Sequence, residues 1–177
     1  MLFKKPIFAA CFLLLCYHIS NAQIEVDFAH GKDYNSIGFG GFLNFSFPAS
    51  ESDYLTIEGG VQYFKSSDDE ELALIPVLAG YRYTLDRSGS GLYVEPFAGY
   101  SFGSSTIGSY NESGGWEGGN VKVAGPAAGL GAGYLFDIGN IPFNVGLRFQ
   151  HNFGNYGTST LGLRISHSLG FHKRDDY

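Results

Sequence analysis

Apolar and polar side chains alternate along this chain with a period of two, most regularly over residues 161–171. Leu161, Leu163, Ile165, Leu169 and Phe171 share one parity, and Gly162, Arg164, Ser166, Ser168 and Gly170 fill the other. Such a period belongs to a β-strand with one greasy and one polar face. Its length suits a tilted strand crossing the hydrocarbon core of a bilayer, and Phe171 ends it where an interfacial aromatic would sit.

The same alternation predicts seven further strands, over residues 23–30, 36–47, 54–64, 72–85, 92–102, 121–136 and 141–150. Their outward parity carries Ile24, Val26, Phe28, Ile37, Phe39, Leu55, Ile57, Val77, Tyr100, Leu130, Val145 and Leu147. The inward parity is polar or small, and over 125–133 it is nearly bare, with Gly125, Ala127, Gly129, Gly131 and Gly133. Pro76, which has no amide proton, is expected at a bulge or an unpaired position. Breaks at 48–53, 86–90 and 137–140 alternate with breaks at 30–35, 65–71, 103–120 and 152–158. The last set includes the longest break, rich in Gly and Ser and holding Trp116. The expected fold is therefore all-β: an eight-stranded antiparallel up-and-down transmembrane β-barrel. Short turns lie on the periplasmic side with both termini, and longer loops lie outside. Aromatics gather at the two ends, with Phe45, Phe47, Tyr81, Tyr83, Tyr134, Phe136, Phe143 and Phe171 at one and Tyr63, Tyr100, Phe102 and Phe149 at the other.

The start of the chain reads differently. Lys4 and Lys5, the apolar run Ile7 to Cys16 and the small residues Ser20 and Ala22 form a signal-peptide pattern over residues 1–22. The barrel is then expected over 23–171, followed by a short polar tail, 172–177, with either Phe171 or Tyr177 as the terminal assembly signal. Cys11 and Cys16 both fall in the leader, so the mature chain lacks disulfides, thiolate metal sites and cysteine nucleophiles. Loss of Lys4 and Lys5 leaves 11 − 2 = 9 basic residues against 17 acidic ones, a net charge of 9 − 17 = −8. That balance argues against nucleic acid as a partner.

The inner face carries Glu58, Arg82, Glu95, Arg148 and Arg164. An eight-stranded barrel is only wide enough to be filled by its side chains, and an unpaired buried charge is costly. These residues are therefore expected to form a salt-bridged plug, with Glu58, Arg82 and Glu95 grouped near the periplasmic turns. The bare glycines either leave a void beside it or make room for bulky neighbours such as Phe42 and Phe64. Asp68-Asp-Glu-Glu71 lacks the spacing of a calcium loop and reads as a solvated run. Tyr110 and Trp116 in the longest break are candidate surface contacts. No catalytic, cofactor-binding or metal-ligating residues are assigned. His151, in Phe149-Gln-His-Asn-Phe153, is similar to the His-x-Ser arrangement of outer-membrane lipid A deacylases, but Phe153 stands where their serine would be. His167 lies on the lipid-facing parity, a position the pattern does not explain.

On its alternation, turn lengths and closing Phe171, the chain resembles the small eight-stranded outer-membrane barrels, such as OmpX and the transmembrane part of OmpA. The tail 172–177 departs from that pattern. The resemblance implies a Gram-negative cell-envelope protein in the bacterial outer membrane, without enzymatic activity, with a structural or surface-interaction role. It implies outer-membrane lipids and lipopolysaccharide as surroundings, barrel-assembly machinery during insertion, and an extracellular partner of unknown identity. The alternative function is a narrow porin-like channel for ions or small solutes. A closed membrane barrel resists detergent until boiled, so unboiled and boiled samples are expected to migrate differently on a denaturing gel. Identical migration of folded and boiled protein would contradict the barrel.

Overall fold

The computed structural model describes residues 20–31, 35–65, 71–86, 90–110, 116–139, 141–154 and 157–168. Nine strands build one sheet: β1 (Ser20–Gly31), β2 (Asn35–Pro48), β3 (Tyr54–Lys65), β4 (Glu71–Thr84), β5 (Gly91–Tyr110), β6 (Trp116–Lys122), β7 (Gly125–Ile138), β8 (Ile141–Asn152) and β9 (Thr158–Ser168). All pairings are antiparallel. β1 pairs with β2 on one side and β9 on the other, and β4 pairs with β5, so the sheet closes. β6 and β7 are successive parts of one stave interrupted at Val123 and Ala124. The ring thus has the eight antiparallel staves that the alternation predicts, with no helix among the described residues.

Closure follows from what lies outside. Hydrocarbon offers no hydrogen bonds, so each backbone amide and carbonyl must be paired within the protein, and a closed barrel leaves no edge. The β1–β9 seam supplies the last ladder, from Asn21 opposite Ser168 to Gly31 opposite Thr158. The side chains are inverted relative to a soluble protein: Ile24 is 71% exposed, Leu147 57% and Leu163 52%, whereas Arg148 is 1% exposed.

Prolines mark the gaps in the ladder. The β3–β4 pairing stops at Gln62 opposite Leu74 and resumes at Gly59 opposite Val77, leaving out Pro76. The β4–β5 pairing likewise skips Pro96, passing from Gly80 opposite Phe97 to Tyr83 opposite Val94. Each gap lies where the missing amide proton removes a donor.

The break expected over 103–120 is corrected. β5 continues to Tyr110 and turns back as β6 from Trp116, with Tyr110 opposite Trp116 and Ser104 opposite Lys122. Among the described residues, 107–110 pair with β6 alone. Gly and Ser suggested a loop here. The ladder overrides that local preference, because each strand of the hairpin satisfies the other's backbone. The described end of β9 and the start of β1 share the opposite rim.

Two turns at that rim are tied down. In one, Asp53 accepts at its backbone carbonyl from Ala49 (2.8 Å), and its carboxylate accepts from the Tyr81 hydroxyl (2.9 Å). Partial desolvation pulls the Asp53 carboxyl upward, but hydrogen bonds from Tyr81, Ser50, the Thr84 backbone and Ser52 hold it below the ordinary aspartate value. The other links β7 to β8 after Ile138 opposite Ile141, with Gly139 at φ 66, a left-handed conformation that favours glycine.

Ser20, Asn21 and Ala22, expected to belong to the leader, take part in β1. Residues 1–19, the acidic residues Asp68 to Glu70, and the tail with Phe171 and Tyr177 lie outside the described residues. Leu163 is the middle outward residue of β9, between Ser159 and His167. Leu163→Arg should destabilise the folded barrel by about 2–4 kcal/mol, the cost of a cation near the bilayer midplane. Urea unfolding in lipid vesicles measures it, and a change near zero would place this face away from lipid.

Candidate functional site

The inward parity forms a polar layer across the lumen. Arg148, on β8, is its hub. Its Nη1 donates to Glu58 Oε1 at 2.5 Å and to Glu25 Oε2 at 3.3 Å, and its Nη2 donates to Gln150 Oε1 at 2.6 Å. Three staves lie between β8 and β3 in either direction around the ring, so the Arg148–Glu58 pair joins opposite walls. The guanidinium also lies over the rings of Phe42, at 4.6 Å, and Phe97, at 4.8 Å. Such cation–π contacts add attraction where water is scarce. Arg164, on β9, approaches the same two carboxylates, at 3.5 Å from Glu58 and 3.9 Å from Glu25.

A second pair lies on adjacent staves. Arg82 Nη2 is 2.8 Å from Glu95 Oε2, its Nε donates to the same oxygen at 2.9 Å, and Thr56 donates to Glu95 Oε1 at 2.7 Å. The Arg82 guanidinium lies 4.9 Å from the Tyr93 ring centre. The five inward charges read from the sequence fall into two groups. Glu58 joins Arg148 and Arg164, while Arg82 and Glu95 pair with each other. Glu25, on the inward parity of β1, joins the first group. Its parity was visible; its partners, on strands 123 and 139 residues away in sequence (148 − 25 and 164 − 25), were not.

Large side chains cover two of the bare glycines. A Cβ at Gly129 would lie 2.5 Å from Phe97 Cζ, and one at Gly133 would lie 2.8 Å from Tyr93 Cε1. Phe42 covers Gly40 and Gly60, and Phe64 covers Gly38. Between the two charge groups, a void of about 10 Å³ is lined by residues including Thr56, Glu58, Glu95, Phe97 and Arg164. That is room for about one water. Toward the hairpin end the polar layer gives way to a buried apolar cluster of Ala29, Phe64, Leu72, Leu74 and Val123.

On the outside, His167 joins a row of rings: Tyr134 to Phe136 at 6.3 Å, Phe136 to Phe143 at 6.1 Å and Phe143 to His167 at 6.2 Å. Its lipid-side parity is thus an interfacial aromatic position, where a ring with a polar edge fits. At the other rim, the serine missing beside His151 comes from the next strand: Ser159 Oγ is 2.9 Å from His151 Nδ1. No carboxylate hydrogen-bonds to His151 among the described residues, so the orienting third group of a nucleophilic site is missing from them. The backbones of Tyr110 and Trp116 face each other at the described end of the hairpin.

The family model described as the autotransporter beta-domain matches residues 42–173. Among solved structures, Neisserial surface protein A aligns with a TM-score of 0.55 at 14% identity, covering 84% of this chain and 95% of that one. The attachment invasion locus protein of Yersinia pestis aligns at 0.58 and 12% identity, covering 85% and 98%. The N-terminal β-barrel domain of Pseudomonas aeruginosa OprF aligns at 0.51 and 17% identity, covering 85% and 97%. At these identities the likeness is one of fold. No curated protein matches the sequence.

Removing Arg148 strands the Glu25 and Glu58 carboxylates in the lumen. Arg148→Met should cost about 3–5 kcal/mol, the range for breaking one side of a buried pair. Adding Glu58→Gln to that variant should recover part of the loss. Chemical unfolding in detergent checks both, and independent, additive effects would rule out the coupling.

Proposed function

This chain belongs to the autotransporter beta-domain family, and from that premise we propose a non-enzymatic, non-conducting outer-membrane barrel that presents the β5–β6 hairpin as a surface contact element. Its place is the bacterial outer membrane, as a small barrel of the OmpX and OmpA type. The leader over 1–22 directs it across the inner membrane, and barrel-assembly machinery inserts it. Its termini then face the periplasm and the hairpin faces outward, among the headgroups of outer-membrane lipids and lipopolysaccharide.

The observation that carries the closed bore is the Arg148–Glu58 pair. It crosses from one wall to the opposite wall with phenylalanine rings against the guanidinium. An ion passing along the axis would have to break this pair and displace the apolar cluster beyond it. Both steps are expensive in a lumen of low dielectric constant. With the bore closed, the hairpin is the contact element that the described residues offer, with Tyr110 opposite Trp116 at its end. Aromatic residues of this kind anchor interfaces.

Planar-bilayer recordings separate this reading from a narrow channel for ions or small solutes. The purified barrel is expected to give no steady openings at neutral pH. Steady unitary currents would overturn the closed bore and favour the channel.

A further inference from the structure

The charges buried in the lumen do not balance. Among the described residues four carboxylates are buried, Glu25, Asp27, Glu58 and Glu95, against three guanidinium groups, Arg82, Arg148 and Arg164. The guanidiniums are committed: Arg82 to Glu95, and Arg148 and Arg164 to Glu25 and Glu58. Asp27 is the remainder. It is 1% exposed, and the hydrogen bond it accepts comes from the neutral Gln62 amide, Nε2 to Oδ2 at 3.0 Å. Its other oxygen, Oδ1, finds no donor, and neither do Glu25 Oε1 and Gln62 Oε1. Gln62 itself is fully buried. With its amide nitrogen turned to Asp27, it leaves one more acceptor without a donor.

The backbone leaves space for these oxygens. Asp27 stands between Gly38 on β2 and Gly162 on β9 in the two ladders. A Cβ at Gly162 would strike both Glu25 Oε1 and Asp27 Oδ1, so the two unpartnered oxygens converge on the spot that a side chain would fill. The next inward residue on β1 is Ala29, part of the apolar cluster, which keeps bulk water from this spot on that side. A lone ionised carboxylate is not tolerated in such a place without compensation.

We propose that the lumen holds one further positive charge at Asp27, a proton or a small metal cation, seated between Glu25 Oε1 and Asp27 Oδ1 over Gly162. The site completes the neutrality of the polar layer. The charged groups around it are Glu25 on its own strand, Arg164 on β9, Arg148 on β8, Glu58 on β3 and the Arg82–Glu95 pair beyond. β2 presents only Gly38, Gly40, Phe42 and Asn44 toward the inside near it. His30, His151 and His167 lie on the outward parity, away from this site. The site depends on the same dry lumen as the proposed function, but the tests are separate, because conductance reports water in the bore and the following comparison reports the charge.

Thermal unfolding of the refolded barrel in neutral detergent, from pH 6 to 9, tests it in buffers whose only cation is choline and in buffers with added sodium or calcium at equal ionic strength. If a proton occupies the site, the folded state binds one more proton than the unfolded state, and stability falls as pH rises. The wild-type Tm should then drop by about 2–4 °C per pH unit, equally in all buffers. If a metal cation occupies it, the drop should appear in choline and be reversed by sodium or calcium. Asp27→Asn removes the surplus charge and should abolish whichever dependence the wild type shows. Gln62→Lys supplies the positive charge covalently, so it should do the same and provides a second variant if Asp27→Asn does not fold. A wild type insensitive to both pH and cation would overturn the proposal, as would variants that keep the wild-type dependence.

Discussion

Hydrocarbon outside the sheet sets the terms for every other feature of this barrel. A strand with unpaired backbone groups cannot stand in lipid, so β1 must meet β9, and the chain must form a ring or no transmembrane structure at all. Once it closes, the parity of each strand decides its solvent: one face meets lipid and the other meets the opposite wall. The outward Ile, Leu, Val and Phe and the inward Arg, Glu, Gln and Thr are two consequences of that one closure. Where the ladder does lapse, at Pro76 against β3 and Pro96 against β4, it resumes within a few residues on the same register.

A ring of eight leaves a bore that side chains can fill, and the filling here is unequal. Large rings lie over glycines: Phe42 over Gly40 and Gly60, Phe97 over Gly129, Tyr93 over Gly133. Long charged groups reach across the remaining width. The result is a polar layer around Arg148, with an apolar cluster beyond it toward the hairpin end. Buried ion pairs are weak evidence of stability in themselves, since desolvation offsets much of their attraction. Their effect here lies in what they prevent: each partner is costly to leave alone, so the layer holds together as a unit. The surplus carboxylate at Asp27 belongs to the same accounting, because neutrality in a dry bore is a property of the whole layer.

In the β5–β6 hairpin the two arms satisfy each other's backbone, and among the described residues 107–110 pair with β6 alone. Paired strands of this kind are a suitable form for a contact element. The His151–Ser159 pair at the same end shows how a cross-strand neighbour can supply a group that the local sequence lacks.

The period-two pattern alone determined the strand count, the lipid-facing side chains and which charges point inward, because the alternation of a β-strand is local and each residue carries its own preference for lipid or lumen. Arg82, Arg148, Arg164, Glu58 and Glu95 could be assigned to the interior without knowing any neighbour. Their pairing could not, nor could the extension of β5 through a Gly- and Ser-rich stretch, the serine beside His151, or the converging oxygens over Gly162. These depend on the register and stagger of closure, which bring residues more than a hundred positions apart to the same height. Parity is written in the chain one residue at a time, whereas proximity across a closed ring exists only once all eight staves are in place.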